Sequence, residues 1–118
     1  MCPFLDRLHS DFPARLAQAG ARTNISTLVH ISALGSAADS TARYARSKAA
    51  GEEAIKRHFP RHVILQPSVV FGPEDNFFNQ FARMAQRAPF LPLIGGGKTK
   101  FQPVYVGDIA QAVARILT

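Results

Sequence analysis

Two short apolar runs bracket an alanine-rich helical stretch, and that order constrains the chain more than any other feature. Thr27-Leu28-Val29-His30-Ile31 is rich in strand formers and closes at Ser32. Val63-Ile64-Leu65-Gln66 is the second run, and Pro67 breaks its pairing. Mostly apolar runs without strict alternation suit strands buried on both faces of a parallel sheet. Between them, Gly35 to Ser40 reads as a small-residue loop. Ser40 or Thr41 is placed to cap a helix that runs to about His58 and is stopped by Pro60. Strand, helix and strand in this order predict an α/β fold with a right-handed βαβ crossover. Ligands of such sheets bind at the carboxyl ends of the strands. Ser32 and the segment from Pro67 to Val70 both fall there.

The flanks extend this reading. Ser10-Asp11-Phe12-Pro13 predicts a helix start, with Phe12, Leu16 and Ala19 on one buried face and Gly20 at its end. Val69-Val70-Phe71 is an extension of the second strand. Asn76 to Arg87 reads as a helix with Phe77, Phe81 and Met84 on one side, and Pro89 to Phe101 as a loop. Pro103 to Val106 is a short extended piece. Gly107-Asp108 then opens a last helix with Ile109, Val113 and Ile116 facing inward.

Composition sets the bounds. The chain has 118 residues, of which 47% are apolar, enough for one small core. Cys2 is the sole cysteine, which excludes an intrachain disulfide and cysteine-pair zinc sites, and fits a reducing compartment. Charge arrives at Asp6 and Arg7, too early for the apolar core of a signal peptide. The net charge of +6 points to an anionic partner. Many of the basic residues lie between Arg43 and Arg61, where they read as a solvated helix face. No aromatic ladder interleaves with them, so nucleic acid is not the expected partner.

Two other signals carry less. Gly95-Gly96-Gly97-Lys98-Thr99 resembles a phosphate loop, but Pro92 stands where that pattern needs glycine, and no helix follows. His9, His30, His58 and His62 lack metal-ligand spacing, so no metal site is expected.

The chemistry concentrates in Tyr44 and Lys48. Four residues apart on a helix, they share one face. An ammonium about 4 Å from a phenol, at an effective dielectric of about 20, favours the phenolate by roughly 4 kcal/mol. Such a phenol passes a proton to or from a carbonyl or alcohol oxygen. Ser32, on the preceding strand tip, is placed to donate to the same oxygen.

Three stretches now make a resemblance specific. His30-Ile31-Ser32-Ala33-Leu34-Gly35, Tyr44-Ala45-Arg46-Ser47-Lys48-Ala49-Ala50-Gly51-Glu52 and Gln66-Pro67-Ser68-Val69-Val70-Phe71-Gly72-Pro73-Glu74-Asp75 are similar to the atypical or extended short-chain dehydrogenase/reductases. The stretch from Leu91 to Thr99 and that from Phe101 to Asp108 add to the likeness. The match is with the branch of the NAD(P)-binding accessory subunit of respiratory complex I and its bacterial relatives, from about Phe12 to Leu117.

That resemblance implies a partial NAD(P)-binding Rossmann fold, a parallel sheet with flanking helices. Residues 1–118 would form one partial domain, the later half of the nucleotide-binding part and the start of the substrate side. It implies that Ser32, Tyr44 and Lys48 are the catalytic set, and that Tyr44, Lys48, Pro67, Ser68 and Val69 meet the cofactor, NADP or NAD. The family's glycine-rich turn and its N-terminal strands are absent, and Gln66 stands where relatives often carry arginine. Tight cofactor binding is therefore expected only where the missing N-terminal part is present, and an uncovered sheet edge at Thr27 to Ile31 implies self-association. The resemblance implies complex I subunits as partners, and a setting in the cytoplasm or mitochondrial matrix, peripheral to the inner membrane. The leading expectation is an accessory protein with a mainly structural cofactor. The alternatives are an active NAD(P)-dependent oxidoreductase or epimerase on a carbonyl, quinone-like or sugar-nucleotide-like substrate, a basic nucleic-acid-binding module, and a piece that binds no cofactor.

Overall fold

The computed structural model describes residues 3–76, 78–87 and 102–118. Phe77 and the expected loop at 89–101 lie outside the described residues, as do the side chains of Phe81 and Met84. The chain forms two compact units, one of residues 1–67 with 115–118 and one of residues 68–114.

The first unit is the expected βαβ arrangement. Strand β1 (Leu28–Ile31) pairs in parallel with β2 (His62–Leu65), with Leu28 opposite His62 and Ile31 opposite Leu65. Helix α3 (Arg43–His58) joins them, as expected from sequence. Its cap differs in detail. The Ser40 hydroxyl accepts the Ala42 N–H at 3.1 Å, and the Arg46 guanidinium donates to the Ser40 and Thr41 carbonyls. Pairing continues past the strands: Ser32 N–H donates to the Leu65 carbonyl at 2.7 Å and Leu34 N–H to that of Pro67 at 2.9 Å. Gly35, at φ 83°, then turns the chain away in a conformation that favours glycine.

The N-terminal helix corrects the sequence reading. Helix begins at Pro3, not near Ser10. It runs as α1 (Pro3–Asp6), a π-helical turn (Arg7–Asp11) and α2 (Phe12–Ala21). The cause is Pro13, which has no N–H to offer the His9 carbonyl four residues back. The backbone widens instead, and Phe12 N–H bonds to the Arg7 carbonyl five residues back. The buried face also differs. Pro13, Ala17 and Gly20 are buried, whereas Phe12 and Leu16 are exposed. Small residues let α2 approach α3 closely: a Cβ on Gly20 would lie 3.2 Å from the Phe59 ring. The core comprises Ala17, Leu28, Ile55 and Phe59, with Ile64 packed against it.

That inversion leaves Phe4, Leu8, Phe12 and Leu16 exposed at helical spacing, and among the described residues β1 pairs only with β2. An apolar stripe and an open strand edge both favour association. Light scattering is expected to show species larger than the monomer, and replacing Phe12 and Leu16 by lysine should shift them toward it. A clean monomer of the unaltered chain at the same concentration would contradict this.

In the second unit, β3 (Val70–Phe71) pairs in parallel with β4 (Val104–Tyr105), so Val70 and Phe71 do not extend β2. Pro67 ends the first ladder, since it has no N–H to continue it. Phe71 packs against Phe78 and Tyr105. Helix α4 (Phe78–Arg87) is capped by Asp75, whose carboxylate accepts the Asn79 and Gly72 N–H groups. Helix α5 (Val106–Leu117) turns Ile109, Val113 and Ile116 to its less exposed side, as its spacing predicts.

No helix among the described residues is long and apolar enough to cross a membrane.

Candidate active site

Helix α3 carries Tyr44, Lys48 and Glu52 at successive four-residue steps, which places them along one face. The Lys48 ammonium lies 5.9 Å from the centroid of the Tyr44 ring, so it interacts with the π face of the phenol. Tyr44 is half exposed. Lys48 is partly buried, and its pKa falls below the ordinary lysine value because burial penalises the charge; Glu52 opposes that fall. The helical period alone brings this pair together, as expected from the sequence.

Ser32 sits at the end of β1, as expected, but its surroundings differ from the expected role. The side chain is buried, and its hydroxyl donates to Glu52 Oε1 at 2.5 Å. Ser36 lies 3.2 Å from the same oxygen of Ser32. Gln66, following β2, donates to Glu52 Oε1 at 2.9 Å. Burial by itself would raise the Glu52 pKa. The hydrogen bonds from Gln66, Ser32 and Ser36, with the charge of Lys56, outweigh it and hold the carboxyl below its ordinary value. Pro67 is engaged through its carbonyl to Leu34. Ser68 and Val69 belong to the second unit, where the Ser68 hydroxyl donates to the Gln102 carbonyl and the Val69 carbonyl accepts Val104 N–H at 2.8 Å.

Sequence reasoning passed over His9 and Glu52. His9, on the π turn, meets Tyr44 edge to face, with ring centroids 5.2 Å apart. Ser47 donates its one hydroxyl proton to the Tyr44 carbonyl, so at 2.9 Å it accepts from His9 Nδ1. The freed His9 carbonyl packs onto α3 at Gly51, where an ideal Cβ would lie only 1.9 Å from it. Pro13, four residues after His9, was the available signal for this turn. Glu52 carried a weaker one, a carboxylate continuing the Tyr44–Lys48 stripe.

His30, in β1, has a buried Nε2 with no hydrogen-bond partner among the described residues. Burial, then the nearby Lys48 charge, lowers its pKa despite Glu52, and His9 is lowered by burial and Lys48 against Asp6. A histidine lowered by folding stabilises the fold above the unfolded value of 6.5 and loses that contribution as pH falls through its folded value. Glu52, lowered from 4.5, acts the same way further down. Stability is therefore expected to drop on acidification, first below pH 6.5 and again below 4.5. Thermal melts from pH 7.5 to 4 should show this, and His30→Leu should flatten the upper part. Equal melting temperatures at pH 7.5 and 5 would refute it.

Among the described residues, no cluster of three or more histidine, cysteine or acidic side chains is arranged to hold a metal. The second unit has a cavity of about 640 Å³ beside Phe71, Asp75 and Val106.

Residues 36–118 match the family model of the RmlD substrate binding domain. The chain is 44% identical over 89 residues to the mitochondrial NADH dehydrogenase [ubiquinone] 1 alpha subcomplex subunit 9 of Arabidopsis thaliana, covering 75% of this chain and 22% of that protein. The subunit of the same name from Rattus norvegicus is 39% identical, over 88% of this chain and 28% of the relative. A ceramide reductase of Caulobacter vibrioides is 33% identical, over 82% and 30%. The chain thus spans less than a third of the length of these relatives. With its parallel βαβ unit, a partial Rossmann-like fold, the chain belongs to the RmlD substrate binding domain family, in the atypical short-chain dehydrogenase/reductase branch that includes the complex I accessory subunit.

Proposed function

We propose that these residues supply the nicotinamide side of an NAD(P) site in an accessory protein of the complex I type, where the cofactor is mainly structural. The observation that carries this reading is the pairing of Tyr44 and Lys48 on one face of α3, with the Ser32 hydroxyl engaged by Glu52. Lys48 offers ammonium donors to the hydroxyls of a nicotinamide ribose, and Tyr44 offers a half-exposed phenol. Pro67, Ser68 and Val69 are the segment proposed to meet the nicotinamide. A bound dinucleotide would supply hydride chemistry. On the protein side, Tyr44 is the group able to hold or pass a proton, while Ser32 is held in a buried contact.

The described residues contain no glycine-rich turn for a pyrophosphate, which such cofactors bind at a helix N-terminus. Weak binding is therefore expected of the chain by itself, and tight binding where another segment supplies that turn. Residues 1–118 fit one partial nucleotide-binding domain plus the beginning of the substrate side. The named mitochondrial relatives support a mitochondrial setting with complex I subunits as partners; a matrix position peripheral to the inner membrane is part of the same proposal. The half-exposed phenol beside an ammonium favours a second reading, an active oxidoreductase on a carbonyl or quinone-like substrate.

A fluorescence titration with NADPH tests both. The chain should give weak but saturable enhancement, and Lys48→Met should weaken it about tenfold, the loss of a charged hydrogen bond. No saturable signal, or equal affinity in the variant, refutes the site. Tyr44→Phe should leave NADPH-dependent turnover unchanged; a loss of rate would establish the oxidoreductase reading.

A further inference from the structure

We propose that Glu52 is the positioning residue of this site: its carboxylate clamps α3 to the tips of both strands and so fixes the face that carries Tyr44 and Lys48. Only the functional meaning of the clamp rests on the nicotinamide-side reading; the clamp is argued from contacts alone. Glu52 is 7% exposed, although a buried carboxylate is costly unless it is bonded. Its Oε1 accepts from Ser32, the residue after β1, and from Gln66, the residue after β2. The two donors sit on adjacent strands already joined by Ser32 N–H to the Leu65 carbonyl. One carboxylate therefore ties three elements together at the sheet end where ligands of such folds bind.

The same helix face sets what the clamp does. Glu52 is one turn from Lys48, and Lys48 is one turn from Tyr44. A shift of α3 along the strands would carry all three together, so the carboxylate registers the phenol and ammonium against the strand tips. It also places a negative charge near an ammonium that burial disfavours. Ser32 acts as the clamp's donor. The other charged and titratable groups around Lys48 and Glu52 are His9 from the π turn, His30 from β1, Tyr44, and Lys56 with its partner Glu53 on α3.

The test is an NMR titration of the whole chain, following the Lys48 ε-methylene and the Glu52 carboxyl in the unaltered protein, Glu52→Gln and Ser32→Ala. Glu52→Gln should make Lys48 titrate at lower pH than in the unaltered chain, a shift that a purely structural role would not produce. Ser32→Ala should make Glu52 titrate at higher pH. An unmoved Lys48 in the folded first variant, or an unmoved Glu52 in the second, overturns the proposal. Ser32→Ala removes a single hydroxyl and decides the matter alone if Glu52→Gln loses its folded spectrum. A parallel NADPH titration should show weaker binding in Glu52→Gln. Absence of binding by the unaltered chain speaks against the nicotinamide-side reading, while the two side-chain titrations still decide the clamp.

Discussion

Gly51→Ala is expected to cost about 3 kcal/mol, the upper end of what overpacking usually costs. The position leaves no room: an ideal Cβ would sit 1.9 Å from the His9 carbonyl oxygen and 3.1 Å from its carbon. Both are backbone atoms, so no side chain can swing aside. The π turn and α3 must separate, and separation uncovers Pro13 and strains the packing of Ala17, which has no exposed surface. For a domain of this size the melting temperature should fall by roughly 10–20 °C. The same change should release His9 from Tyr44 and Ser47, visible as altered ring shifts of Tyr44 in whatever fraction stays folded. Gly35→Ala is the matching control. Its φ of 83° carries a strain of about 1–2 kcal/mol, but no atom lies within 4 Å of the added methyl. If Gly51→Ala melts no lower than Gly35→Ala, the close packing of the turn on the helix is wrong.

Ile55→Ala should be about as damaging, at roughly 3–4 kcal/mol. Among the described residues Ile55 is the largest side chain with no exposure, and it clusters with Ala17, Leu28 and Phe59 in the core. Truncation removes buried methyl groups and leaves a void between α2, α3 and β1. Those elements are held by few other large buried residues, so little can collapse into the space. Ile55→Val should cost only about 1 kcal/mol. Leu34→Ala, at a residue 69% exposed, should stay within about 0.5 kcal/mol. Denaturant unfolding monitored by circular dichroism distinguishes these outcomes, and equal midpoints for Ile55→Ala and Leu34→Ala would remove Ile55 from the core. Native domains are stable by only about 5–15 kcal/mol, so either severe variant threatens the folded state itself.

The two variants bear on the same helix. Gly51 and Ile55 mount α3 on the N-terminal helix and the core, and Glu52 fastens it to the strand tips. Tyr44 is half exposed and Lys48 partly so, while Ser47, Ala49, Gly51, Glu52 and Ile55 of the same helix are buried and hold it in place. Loss of ligand binding in a Gly51 variant would therefore reflect displacement of the helix, which the Tyr44 ring shifts would report.

Local periodicity and chain punctuation made the βαβ order readable. The apolar runs ending at Ser32 and Gln66, the alanine-rich helix and the stop at Pro60 are properties of neighbouring residues. The Tyr44–Lys48 pair was legible for the same reason, since a four-residue step on a helix needs no tertiary information. The face of α2 was not legible, because it depends on how close α3 comes. Small residues permitted an approach that turned Ala17 and Gly20 inward and left Phe12 and Leu16 outside. Nor was the fate of Ser32. Its hydroxyl meets a carboxylate twenty residues away on another element, and only the folding of strand against helix decides whether it faces a ligand or Glu52. Sequence determined which elements form and which side chains share a helix face; tertiary packing decided which faces are buried and which polar groups find each other, because those contacts join residues distant in the chain.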